Sequence, residues 1–165
     1  MTLHSTAHTS TIEQKLQALN IELPPSAAPV ANYVPFVISG NIVVISGQLP
    51  FKDGKLQYLG KVGADVTIEQ AQQAAKLCGI GVLSHLKAAC NGNLNRVKRC
   101  VRLGVFVSSA TGFTDQPKVA NGVSDLMVEV FGDAGKHARA AVGVSELPFG
   151  VAVEVDAMFE ITPQP

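Results

Sequence analysis

Apolar positions along this chain recur with two periods, and the switches between them mark the elements. From Ser10 to Asn20, Ile12, Leu16 and Leu19 share one face of a short helix, and Ser10 with Glu13 has the spacing of a capping box. The run Pro24-Pro25-Ser26-Ala27-Ala28-Pro29 then stops regular structure. Tyr33–Ser39 and Asn41–Gly47 read as strands joined at Gly40-Asn41. The second contains Ile42-Val43-Val44-Ile45, apolar on both faces, which predicts a strand covered on both sides. A loop or short hairpin around Asp53-Gly54 follows. Thr67, with Gln70 at capping-box distance, opens a long helix whose stripe is Ala71, Ala75, Cys78, Val82 and Leu86, ending near Asn91-Gly92. Val97–Ser108 is a long strand in which Cys100, Arg102, Gly104 and Phe106 alternate with Val101, Leu103, Val105 and Val107. Gln116–Phe131 returns to helical spacing through Val119, Val123, Leu126 and Val130. Arg139–Val144 and Val151–Ile161 are the last strands, the latter with strict two-residue alternation.

After the N-terminal helix the order is β-β-α-β-α-β-β. That predicts an α+β fold, one mixed sheet with two helices on one face. Residues 1–28 form a helical extension and linker, and residues 29–165 form the domain, since so short a helix builds no core of its own. The other sheet face needs a cover, and a second copy of the chain is the economical one. Composition points the same way. Charged residues are 16% of the 165, against roughly 25% in an average soluble protein. Such a surface is too poor in charge to be covered by polar groups alone.

Thirteen basic and thirteen acidic residues cancel, which argues against nucleic acid as a partner. No apolar run approaches a membrane span, and the polar start with His4 and His8 lacks a signal pattern. Cys78, Cys90 and Cys100 show no CxxC spacing and read as buried reduced thiols of a cytoplasmic protein. No metal-ligand spacing, GxGxxG or Walker loop occurs.

Arg139 is the most informative residue. A guanidinium at the head of an apolar strand needs either a carboxylate such as Glu154 or Asp156 or an anionic ligand. Glu154, between Val153 and Val155, is a candidate general acid or base, or else part of a solvated strand face or of salt bridges to a neighbouring chain. Tyr33 reads as a cleft aromatic or as packing, Asn121 as ligand-facing or solvent-facing, and Gly47 as a close-approach or a turn glycine. His137 lacks a triad partner and reads as a loop residue.

Ile45-Ser46-Gly47-Gln48-Leu49-Pro50, Ala138-Arg139, Leu147-Pro148 and Val153-Glu154-Val155 together resemble the RidA/YjgF family of enamine/imine deaminases, also labelled endoribonuclease L-PSP, over roughly Pro29 to Ile161. The resemblance implies a chorismate-mutase-like fold assembled as a homotrimer around a central barrel, with ligand clefts between subunits. It implies that Arg139 grips the substrate carboxylate and Glu154 positions water. Tyr33, Gly47 and Asn121 would line the cleft. Ala141 stands where many members carry cysteine, leaving its backbone N–H to donate. Asn121 to Arg139 is slightly longer than the family spacing, and the N-terminal extension lies outside the core pattern.

The implied reaction is hydrolysis of 2-imino acids to 2-keto acids and ammonia, with neither cofactor nor metal. Two other readings share the scaffold. One is a non-catalytic trimer that binds a small carboxylate or a partner protein. The other is an endoribonuclease, which zero net charge and the lack of a catalytic histidine pair speak against.

Overall fold

A computed structural model describes residues 11–30 and 32–164. The predicted order of elements holds. The first helix, α1 (Ile12–Ala18), is capped one residue later than its spacing suggests. The Thr11 hydroxyl accepts from the Gln14 N–H, and the Gln14 side chain accepts from the Thr11 N–H. Ser10, the expected cap, lies outside the described residues. The same reciprocal bonds tie Thr67 and Gln70 at the start of α2 (Ile68–Ala89), as their spacing requires. Beyond α2 the chain turns through Asn91 and Gly92 at φ 53° and 85°, the left-handed region that glycine and asparagine tolerate.

Five strands make the main sheet: β1 (Phe36–Ser39), β2 (Ile42–Gln48), β5 (Val97–Ser108), β6 (Ala138–Val144) and β7 (Val153–Ile161). Their order is β1-β2-β7-β5-β6. All pairs are antiparallel except β5 with β6, which are parallel and joined by α3 (Gln116–Phe131). The sheet is therefore mixed, and the parallel step falls where a helix makes the crossover. A small hairpin, β3 (Phe51–Lys52) and β4 (Lys55–Leu56), turns at Asp53-Gly54 with φ of 51° and 75°.

The core lies between the sheet and the paired helices α2 and α3. Val43, Ile45, Leu103, Val105, Val107, Val153, Val155 and Phe159 meet the helix stripes there. Gly79 and Gly122 let the helices approach. A methyl at Gly79 would press on Leu126 and Val123, and one at Gly122 would overlap the Gln72 carbonyl.

One face assignment is corrected. Strict alternation puts Cys100 with Arg102, Gly104 and Phe106. Instead β5 bulges, so that Cys100 pairs with Phe159 while Arg102 pairs with Met158. The extra residue flips the phase, and Cys100 is buried beside the helices on the side of Leu103.

The opposite sheet face carries Val37, Val44, Phe106, Val142 and Met158, and no element of the described residues packs on it. Val37 and Val142 are 53% and 45% exposed. Ile42–Ile45 is thus covered on one face within the chain, and Val44 stays open on the other. Among the described residues, no helix is long and apolar enough to cross a membrane.

Candidate active site

Register decides where each candidate side chain points. Arg139 pairs with Leu103, Ala141 with Val105 and Gly143 with Val107, all on the helix side of the sheet. Arg139 therefore turns toward α3. Its Nη1 donates to Asn121 Oδ1 at 2.9 Å and to Ser124 Oγ at 3.1 Å. Asn121 and Ser124 are three residues apart, so they share one face of the helix. Neither acceptor is charged. Among the described residues Arg139 makes no ion pair, and it is exposed. The expected structural pairing with Glu154 or Asp156 is absent, because Asp156 meets Arg102 at 3.5 Å. Among the described residues Arg139 thus has no charged partner, with Nη1 spent and its Nε and Nη2 edge unengaged.

The strand beside it offers backbone donors. The Val144 carbonyl accepts from the Ser109 N–H, so Val144 points its polar groups at β5. Parallel strands alternate in this respect, so Arg139, Ala141 and Gly143 point theirs away from the sheet. β6 is the last strand in the order. Among the described residues the Ala141 N–H is therefore a donor without a strand partner, next to a guanidinium without a carboxylate, a combination suited to a carboxylate ligand.

Ser124, which the sequence did not single out, and His137, in the loop where its sequence places it, complete the surroundings of Arg139. His137 Nδ1 lies 2.6 Å from the Gly135 carbonyl, and its Nε2 lies 2.9 Å from Ser124 Oγ. The three-residue spacing from Asn121 was the available signal for Ser124. Nothing local marks His137 beyond its nearness to Arg139.

Glu154 lies on the other side. It pairs with Phe106, which pairs with Val142, so its carboxylate is on the uncovered face. It crosses Gly47, where any Cβ would overlap it. That is the physical reason for glycine at this position. Burial, and secondarily the charge of Asp156, raises the Glu154 pKa above the usual carboxylate value. Tyr33, 56% exposed, stands just before β1 at the far edge of the sheet.

The candidates thus form two groups. Arg139, Asn121 and Ala141 sit at the β6 edge, and Tyr33, Gly47 and Glu154 sit on the β1-β2-β7 half. Within one chain they do not meet. Glu154 is two strands and three residues from Arg139, about 10 Å across and about 10 Å along the sheet. The cysteines take no part. Cys78, Cys90 and Cys100 are free and buried, and burial pushes the Cys100 thiol up to about 12.

Comparison with known proteins fits this geometry. The chain is 51% identical over 151 residues to Protein TCP17 of Trypanosoma cruzi, covering 91% of this chain and 94% of that protein. It is 27% identical to a 2-iminobutanoate/2-iminopropanoate deaminase of Dermatophagoides farinae, covering 86% and 94%. The crystal structure of Atu1372 from Agrobacterium tumefaciens, a protein of unknown function, superimposes with a TM-score of 0.86 at 47% identity, covering 93% and 94%. Residues 13–159 match the family model described as "YjgF/chorismate mutase-like, putative endoribonuclease". With the sheet order and helix layer in place and the family model matched over most of its length, the chain belongs to the YjgF/RidA family and has its chorismate-mutase-like fold.

Proposed function

We propose that the protein hydrolyses reactive 2-imino acids to 2-keto acids and ammonia at a site shared between copies of the chain. The observation that carries this reading is the unspent edge of Arg139 beside the outward Ala141 N–H. An α-carboxylate fits there through paired charge-assisted bonds. That leaves the imine carbon projecting off the β6 edge.

A Glu154 from a neighbouring copy then meets it. Its raised pKa makes the carboxylate a stronger base than usual. It takes a proton from water as the water oxygen attacks the imine carbon. The imine enters protonated on nitrogen, so the adduct carries hydroxyl and amine on one carbon. Glu154 returns its proton to the amine, then takes the hydroxyl proton as the C–N bond breaks, which releases ammonia and leaves the keto group. The uncovered apolar sheet face supplies the surface through which copies associate, in the trimer that the family resemblance implies.

The test couples an amino-acid oxidase to the purified protein, with semicarbazide trapping the imine. The wild type accelerates imine loss, and Arg139→Ala lowers kcat/KM by about 100-fold or more. Equal rates for the two would sink the assignment. A second reading, a non-catalytic binder of small carboxylates, is favoured by one observation: the Arg139 edge and the Ala141 N–H lie together within one chain while Glu154 is distant. Saturable binding of 2-keto acids with no turnover of any imine would select it.

A further inference from the structure

We propose that Ser124 and His137 are positioning residues that fix which edge of the Arg139 guanidinium faces the ligand. The inference rests on the reading of Arg139 as carboxylate anchor. Nη1 carries two N–H groups, and both are consumed on α3, by Asn121 Oδ1 and Ser124 Oγ. A serine oxygen that accepts from arginine still has its own hydrogen to place. Among the described residues its acceptor is His137 Nε2, at 2.9 Å.

That nitrogen accepts only if the ring proton is on Nδ1. The Gly135 carbonyl, which can only accept, holds it there at 2.6 Å. Gly135 is buried, and a side chain at its Cβ position would overlap the Met127 backbone, so the end of the chain of bonds is fixed. With a neutral ring one proton arrangement satisfies every group: guanidinium to serine, serine to histidine, histidine to backbone. Its result is a rigid guanidinium with Nη1 turned inward and the Nε/Nη2 edge outward, the edge that binds a carboxylate through two parallel bonds.

A purely structural role would be to tie β6 to α3. The two roles separate by ligand chemistry. The probes are pyruvate and its carboxamide, pyruvamide, with binding followed by NMR titration. Ser124→Ala and His137→Phe each weaken pyruvate binding about tenfold, the effect of one lost bond to a charged group, and leave pyruvamide binding unchanged. The double variant is no worse than either single one, because both cut the same chain. His137→Gln, whose amide oxygen accepts from Ser124, restores pyruvate affinity to within about threefold of wild type. In the imine assay the loss appears in KM, with kcat nearly unchanged.

Unchanged pyruvate affinity in both single variants overturns the proposal. So does an equal loss for pyruvamide, or losses that multiply in the double variant. Arg139→Ala runs alongside. If it too leaves pyruvate binding intact, the anchor reading itself fails. If it weakens binding while Ser124→Ala and His137→Phe do not, only the positioning role fails.

Discussion

Glu154 carries its charge at a cost to folding. Burial and the neighbouring Asp156 both favour its protonated form, and among the described residues no cation pairs with it. Its folded pKa lies above its unfolded one. Below the unfolded value it is protonated in both states and costs nothing. As pH rises through the folded value, the folded state alone bears the penalty. Glu154→Gln keeps the shape across Gly47 and removes the charge. It raises unfolding stability at pH 8 by about 0.5 kcal/mol, a small figure because solvent still screens the group. The gain vanishes near pH 4, and imine hydrolysis is lost at every pH. Urea unfolding at the two pH values, at one protein concentration, checks this. A variant less stable than wild type at pH 8 would show that the carboxylate is held by favourable contacts instead. At this scale, part of the site was legible in the sequence. An arginine in an apolar strand announced an unmet charge. The resemblance put Asn121 in the same cleft, but its direct contact with Arg139, and that of Ser124, was not readable, because both depend on how α3 lies against β6.

Elements form where local signals agree, and shift where pairing intervenes. Thr67 with Gln70 named the start of α2, and Asp53-Gly54 named the hairpin turn. The bulge in β5 had no such mark, since an extra residue exists only relative to β7. The N-terminal helix is the instructive case. Its sequence reads as a helical extension followed by a linker. In the fold, Leu16 is 2% exposed and joins the main core. Glu13 pairs with Lys87 of α2 at 2.9 Å, and Asn95 Oδ1 accepts from the Ile12 N–H. The following proline-rich segment is tied to α2 as well, where the Ser84 hydroxyl donates to the Pro24 carbonyl and Ser26 Oγ lies 2.6 Å from His85 Nδ1. Leu16→Ala therefore costs about 2–4 kcal/mol, as for a buried core leucine. It lowers Tm by roughly 5–10 °C in a chain of this size. A Tm unchanged by the substitution would mean that α1 rests on the core without contributing to it.

The division of the candidate residues across the sheet makes a prediction about the whole molecule. Tyr33 and Arg139 flank opposite edges, four strand spacings or roughly 19 Å apart. Glu154 opens onto the uncovered face, while Arg139 lies against α3. No rotamer change brings a carboxylate through a sheet whose middle strands β7 and β5 are buried on their helix side. If one reaction uses both groups, they come from different copies of the chain. Two dead variants then complement each other. Arg139→Ala keeps a working Glu154, and Glu154→Gln keeps a working Arg139. In cyclic assemblies formed by co-expression in equal amounts, about a quarter of the sites combine the two intact groups. The mixed protein therefore recovers about a quarter of wild-type imine hydrolysis, although neither variant alone exceeds about a hundredth of it. Variants purified separately and assayed together without subunit exchange stay inactive, which excludes simple rescue in solution. If the co-expressed assembly is as dead as its parents, Arg139 and Glu154 do not act on one substrate across an interface. The uncovered face would then be left with self-association as its function, and the Arg139 edge with carboxylate binding alone.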